Sequence, residues 1–247
     1  MDRAEYLKMD DVEERMWWYR GCHANLLAFY RRQATPAAAS LPLLDAGCGT
    51  GGFLRKLGAA LPGNLLVGLD IEPIAIGLAR QKGTASVCVG SIERLPFASN
   101  SLAAVFSADV LYHRGVDERQ AVAELHRCIA PGGVLVLNLP AYDWLMSAHD
   151  RAVHSARRYT RTRLDALLRE AGFARITTSY WNTLLFPLMV LRRKLFTTNR
   201  TTSDVMIYPA PIEALFRAAM RLETWALARG WRLPFGGSVI AAAVKHG

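Results

Sequence analysis

Leu43-Leu44-Asp45-Ala46-Gly47-Cys48-Gly49-Thr50-Gly51-Gly52 is the stretch on which the fold turns. Apolar residues lead into a carboxylate, and Gly47, Gly49 and Gly52 satisfy G-x-G-x-x-G where a strand should become a helix. Glycines there permit tight turning and close approach of a ligand to the backbone. The spacing alone suits a dinucleotide equally well, and a bare strand-to-helix turn could use it too. Two acids bear on the choice. Asp45 would repel a pyrophosphate and suits a ligand bearing an ammonium and a sulfonium. Asp70, nineteen residues after Gly51, ends the apolar run Val67-Gly68-Leu69-Asp70, where a carboxylate can take both hydroxyls of a ribose. Nicotinamide enzymes share that second feature, so it points to a nucleoside without naming the cofactor.

Outward from this turn, short apolar runs (Pro42–Ala46, Leu65–Ile71, Ser86–Val89, Ala103–Phe106, Val134–Leu139) alternate with helical stretches near Phe53–Leu61, Pro73–Lys82 and Glu118–Ile129. Continuous apolar strands separated by helices predict a mostly parallel, doubly wound α/β sheet with its ligand at the carboxyl ends of the strands. Tyr6–Arg32 reads as helical and Thr35–Pro42 as a linker. Arg161–Ala171 predicts a helix ended by Gly172, and Ala174–Tyr180 and Ser238–Val244 predict strands. Between these two strands, Thr183–Phe196 and Ile212–Arg229 read as helices around the loop-like Thr197–Pro211. Three parts follow: an N-terminal helical segment over 1–40, a Rossmann-like domain over 41–182 plus 238–247, and a helical insertion over 183–237.

With 51% hydrophobic and 21% charged residues among 247, the chain can build a sizeable core. Met1–Glu14 has no apolar signal region, and no apolar run reaches the roughly 18–20 residues a bilayer span needs. The four cysteines form no C-x-x-C pair, which favours a reduced, cytoplasmic setting over disulfides or zinc. The net charge of +9 is uneven: residues 151–200 hold eleven Arg or Lys against two acids. Such an excess predicts either an anionic substrate, nucleic acid or lipid headgroup, or a solvated arginine-rich surface.

The run Val89-Gly90-Ser91-Ile92-Glu93-Arg94-Leu95-Pro96-Phe97, then Ser101–Phe106, then Ser107-Ala108-Asp109-Val110-Leu111-Tyr112-His113, resembles the class I (Rossmann-fold) S-adenosylmethionine-dependent methyltransferases. It is most similar to their small-molecule, methyltransferase type 11-like branch, as is the D-x-G-C-G-T-G turn at Asp45. Pro131-Gly132-Gly133 is similar to the family's P-G-G turn into its fifth strand. The likeness is strong over about 40–140 and weak elsewhere. It implies a seven-stranded sheet whose last strand is antiparallel, with S-adenosyl-L-methionine as cofactor and S-adenosyl-L-homocysteine as product. By that likeness Gly47, Gly49 and Gly51 wrap the methionine part, with Asp45 and Ala46 beside it. Asp70 and Ile71 hold the ribose and flank the adenine, Ser91 and Ile92 face the adenine edge, and Ala108 lies beside the sulfonium. The family usually has an acid where Ser91 stands. An N-terminal lid, frequent in the family, would bring Arg20 to the cofactor carboxylate, although Met16-Trp17-Trp18-Tyr19 at helical spacing equally fits a core.

Methyl transfer requires an in-line arrangement and exclusion of water, with a general base only where the acceptor loses a proton. Tyr112 and His113 stand near the fourth strand's carboxyl end, and His149 follows downstream, as candidate catalytic residues. Tyr142, Trp144, His154, Arg157, Arg158 and Tyr159 are candidate acceptor contacts, each with a plain structural alternative. The spacing of His149 and His154 matches no standard zinc pattern, so no metal is expected. The leading expectation is transfer to a small-molecule or lipid-linked acceptor, with an anionic one suited to the arginines. The alternatives are an RNA or protein methyltransferase using the basic 151–200 segment, or a nucleotide-cofactor-binding protein without catalysis. DNA is not expected, and no RNA-binding module is recognisable. Leu184–Phe196, apolar with three cations near its end, would suit peripheral membrane contact, ordinary packing or a homodimer contact.

Overall fold

The computed structural model describes residues 3–35, 40–83, 85–146, 150, 155–195 and 206–246, with the side chains of residues 4 and 193–195 outside that description. Seven strands form one sheet: β1 (Leu43–Ala46), β2 (Leu66–Asp70), β3 (Ser86–Val89), β4 (Leu102–Ala108), β5 (Ile129–Pro140), β6 (Phe173–Trp181) and β7 (Ser238–Lys245). Their order is β3-β2-β1-β4-β5-β7-β6. The strands from β3 to β5 pair in parallel, whereas β7 runs antiparallel to both β5 and β6. The expected architecture is therefore present, including the last pair of strands.

The described helices are α1 (Arg3–Val12), α2 (Trp17–Gln33), α3 (Gly52–Ala60), α4 (Pro73–Gln81), α5 (Glu118–Cys128), α6 (Arg161–Glu170), α7 (Phe186–Leu195) and α8 (Ala210–Ala228). Local chemistry sets several of their ends. Pro73 opens α4 where a missing N–H costs nothing, and Asp117 caps α5 by accepting the N–H groups of Arg119 and Gln120 at 2.9 and 3.1 Å. Gly172, at φ +94°, ends α6.

β1 and β4 are buried along most of their length, because helices cover both faces of the sheet. One core cluster joins Leu44, Leu69, Val105, Leu125 and Leu168 on one face; the other joins Leu26, Phe29, Leu57, Phe106 and Trp181 on the opposite face.

Two details depart from the sequence reading. The helical Tyr6–Arg32 is two helices, broken after Val12. No glycine or proline marks the break, beside which Lys82 Nζ reaches Asp10 at 2.6 Å and also pairs with Glu13. Pro131-Gly132-Gly133 lies within the β5 run, as a bulge where pairing slips from Leu102↔Ile129 to Ala104↔Val134.

After β1 the chain builds outward through β2 to β3 and returns to β4 beside β1. That reversal opens a crevice at the carboxyl ends of β1 and β4, where ligands bind in sheets of this kind.

Candidate functional site

A cavity of about 910 Å³ fills the crevice, within the size range of small-molecule sites. Each parallel strand delivers a residue to it: Asp45 from β1, Asp70 from β2, Ser91 and Ile92 after β3, Ala108 and Asp109 at the end of β4, and Pro140 at the end of β5. Glu5, Tyr6, Met9 and Glu13 from the α1 region and Met16–Tyr19, Cys22 and His23 along α2 close the other side.

The glycine turn is built without room to spare. Gly47 has φ +86°, and a Cβ there would overlap the Val110 side chain. Gly49 has φ +51°, and its Cβ would lie 2.6 Å from Met9 Cε. Asp70 braces the turn by accepting the Gly49 N–H at 2.9 Å and the Glu72 N–H at 3.0 Å, with the Tyr6 hydroxyl donating at 3.5 Å.

Electrostatically this end of the cavity is acidic. Asp45 is almost fully buried, and burial, with the charges of Asp70 and Glu13, pushes its carboxyl up to about 8. Burial also raises Asp70, against the pull of its two backbone N–H partners. A bound cation would relieve this crowding.

At the end of β4, Asp109 holds φ +55°, a conformation that side-chain-bearing residues adopt mainly under constraint. The constraint is visible. Its N–H donates to Asn138 O at 2.8 Å, and Asn138 Nδ2 donates to its carboxylate at 3.3 Å. Trp181 Nε1 donates in turn to Asn138 Oδ1 at 2.6 Å. Burial pushes Asp109 up to about 7, with Arg158 and Asn138 drawing it back.

Of the residues singled out in the sequence, Asp45, Gly47, Gly49, Asp70, Ile71, Ser91, Ile92, Ala108, Tyr112, His113 and Arg158 line the cavity. The Ser91 hydroxyl accepts the Glu93 N–H at 3.2 Å. Burial, with the charge of Asp109, pushes the Tyr112 phenol well above its ordinary value, which suits it to donate a hydrogen bond.

The others stand elsewhere. Ala46 is fully buried in β1, and Gly51 packs on Ala79 of α4. Arg20 is exposed outside the cavity, whereas Tyr19, one residue earlier and about 100° around the helix, lines it. Tyr142 and Trp144 stack on each other beside Tyr180 and Phe186. Arg157 reaches Val116 O at 3.0 Å and Glu118 at 3.6 Å. Tyr159 is fully buried, its hydroxyl shared between Leu111 O and Glu118. Arg158, within the cavity wall, is ion-paired with buried Asp150 at 2.9 Å and donates to Ala141 O at 2.7 Å. These contacts come from non-local packing, which side-chain type and spacing do not reveal. His149 and His154 lie outside the described residues, among which no group of three potential metal ligands occurs.

Residues 44–137 match the methyltransferase domain family. Over that segment the chain is similar to methyltransferase domains. Among the relatives of this domain, a malonyl-[acyl-carrier protein] O-methyltransferase of Dechloromonas aromatica is 37% identical over 106 residues, 42% of this chain and 38% of that protein. A demethylmenaquinone methyltransferase of Deinococcus radiodurans is 34% identical over 125 residues, 49% of this chain and 48% of that protein. The chain thus spans less than half the length of either. The methyltransferase fold extends further: the Haloferax volcanii protein solved in complex with the Trm112 methyltransferase activator superposes with a TM-score of 0.63 at 21% identity, over 99% of this chain and 94% of that one.

Proposed function

We propose that the protein transfers a methyl group from S-adenosylmethionine to a small-molecule or lipid-linked acceptor with an extended apolar part. The observation that carries the cofactor reading is the pair Asp45 and Asp70, two buried carboxylates facing one cavity beside a braced glycine turn. The donor set fits. Carboxylates suit the donor's ammonium and sulfonium and its ribose hydroxyls, and would repel a pyrophosphate. Trp17 Nε1, His23 Nδ1 and Asn182 Oδ1 are buried among the cavity-lining residues without a hydrogen-bond partner, as a ligand site would leave them.

S-adenosylmethionine, when bound, supplies a methyl already activated by positive sulfur. The protein's part is to bind, align and exclude water. Asp70, fixed by two backbone N–H groups, would hold the ribose hydroxyls with its remaining lone pairs. Glu13, Met16 and Trp17 screen the site from solvent. For an acceptor that gives up a proton, Asp109 is the base this site supports best, because its pKa near 7 suits proton transfer at neutral pH. His113 is the second candidate for acceptor contact.

The acceptor class follows from the far side of the cavity, where Leu185, Leu188, Met189, Met206 and Phe216 give an apolar wall. Arg192, also lining it, would suit an anionic group on such an acceptor. The names of the two relatives, one for an acyl-carrier substrate and one for a quinone, agree with an acceptor of this kind. An RNA acceptor is less well supported, because four of the eleven basic residues of the 151–200 segment are ion-paired within the chain. Arg157 and Arg163 pair with Glu118, Arg158 with Asp150, and Arg169 with Asp165.

Isothermal titration tests the cofactor reading directly. S-adenosylhomocysteine should bind and NADH should not; the reverse would end it. Asp70→Ala should weaken donor binding by about 1.5–3 kcal/mol, the loss of hydrogen bonds to a charged acceptor. Asp45 supplies a pH signature. With its pKa at about 8, the free protein holds this carboxyl protonated at neutral pH, and a cation beside it drives the proton off. Donor affinity should rise about tenfold per pH unit from about pH 6 and level off above about pH 8. Stability of the ligand-free protein should move the opposite way. A carboxyl whose pKa folding raises favours the folded state at low pH and progressively less as pH climbs toward 8. Asp45→Asn should flatten the affinity profile.

A further inference from the structure

The helices of the insertion between β6 and β7 carry apolar residues on the side they turn to solvent. α8 packs its Phe216, Met220 and Leu227 face inward, with Phe216 against Trp17 at a centroid distance of 5.3 Å. Its opposite stripe should be charged in an ordinary surface helix. Instead Leu215, Leu222 and Trp225 stand there, 65%, 57% and 46% exposed. α7 and the residue pair before it repeat the pattern, with Leu184, Leu188 and Leu191 each about half exposed at helical spacing. Exposed apolar residues grouped in this way mark an interaction surface.

The charge of this surface has one sign among the described residues. Arg192, Arg221, Arg229 and Arg232 are exposed, whereas the two described acids of the insertion, Glu213 and Glu223, are buried. Both carboxylates are turned inward: Glu213 accepts the N–H groups of Trp17 and Tyr208 at 3.1 Å, and Glu223 accepts that of Leu184 at 2.8 Å. Arg229 lies over the Trp225 ring at 3.9 Å, and Trp225 meets Trp231 edge-on at 6.0 Å. Leucine and tryptophan interleaved with arginine, with no exposed acid among the described residues of the insertion, is the composition of a face that lies in the headgroup layer of an anionic bilayer. A second copy of this chain is disfavoured, because pairing two such faces would set arginine against arginine.

We propose that the outward face of α7 and α8 docks the protein peripherally on anionic membranes. The surface is continuous with the cavity, since Leu188 is half exposed and also lines it, as does Arg192. An amphiphilic molecule could pass from bilayer to cavity along Leu188 without its apolar part crossing water. No described helix is long and apolar enough to cross a membrane, so the contact is with the surface.

Co-sedimentation of the full chain with phosphatidylcholine vesicles, with and without phosphatidylglycerol, tests the proposal. The protein should partition at least about tenfold more onto the anionic vesicles, and salt should weaken the binding. Leu215→Ser/Leu222→Ser/Trp225→Ser should reduce partitioning at least about tenfold, as should Arg221→Glu/Arg232→Glu. All of these positions are exposed, so circular dichroism and Tm should match the parent protein. Equal and weak binding to both vesicle types would overturn the proposal. So would wild-type binding by the Leu/Trp variant, or a concentration-dependent dimer that this variant abolishes in the absence of vesicle binding. No methyl donor enters the experiment, so its outcome is independent of the active-site reading.

Discussion

Asp109→Asn should lower methyl-transfer turnover by about 10²–10⁴-fold while leaving donor affinity within about twofold, the usual size of a lost general base. Three features converge on this residue. It stands at the carboxyl end of β4, lining the cavity beside Ala108. Its backbone is held at φ +55° by Asn138, which is itself oriented by the indole N–H of Trp181, so the carboxylate has a fixed direction. Its pKa is pushed up to about 7 by burial. The base must be ionised, so the rate should rise with pH through about 7 in the parent protein and lose that limb in the variant. The acceptor comes first, from a screen of lysate fractions (polar metabolites, lipids, RNA, protein) with labelled methyl donor. Equal turnover by parent and Asn variant on that acceptor would remove Asp109 from the chemistry. A second comparison then separates a base from a scaffold: Asn138→Ala should cost turnover by freeing Asp109, with the pH limb retained but displaced.

The strands and most helices were legible in the sequence because each depends on local pattern, whereas the seven-stranded sheet and its antiparallel last strand were implied by the family resemblance. Apolar runs of four to seven residues specify strands, and the Asp45–Gly52 turn and Asp70 sit at strand ends where position fixes direction. Asp109 was visible as a letter in the Ser107–His113 run but not as a site. Its character comes from Asn138, 29 residues on, and from Trp181, 43 residues beyond Asn138. The same limit explains Tyr159 and Arg157. An arginine-rich, aromatic stretch reads alike whether it faces a ligand or, as here, gathers around Glu118. Arg20 was displaced by geometry on a smaller scale, since one residue along a helix turns a side chain by about 100°. The break between α1 and α2 had no breaker residue to announce it; Lys82, far along the chain, pairs with a residue on either side of it.

Arg158→Leu should destabilise the protein by about 3–5 kcal/mol, the cost of stranding a buried charge. Both partners of the Arg158–Asp150 pair are about 5% exposed, and the guanidinium also donates to Ala141 O, so water cannot take over its role. Removal takes the guanidinium from Asp150 and from Ala141 O just after β5, to which it donates at 2.7 Å, while the backbone N–H of residue 158 keeps its bond to Asp143. For a chain of this size the loss corresponds to a Tm drop of roughly 6–20 °C. Arg158→Leu/Asp150→Leu should recover much of it, because an apolar pair leaves no uncompensated charge. Activity supplies the second readout. Arg158 holds the Asp109 carboxyl down, so removing the positive charge should raise that pKa and move the rising limb of the rate profile to higher pH. The arginine is then a positioning residue that links the stability of the wall to the protonation of the site. An Arg158→Leu protein as stable as its parent, with an unmoved pH limb, would sever both connections and return Arg158 to the role its sequence context suggests, an anion-binding contact for the acceptor.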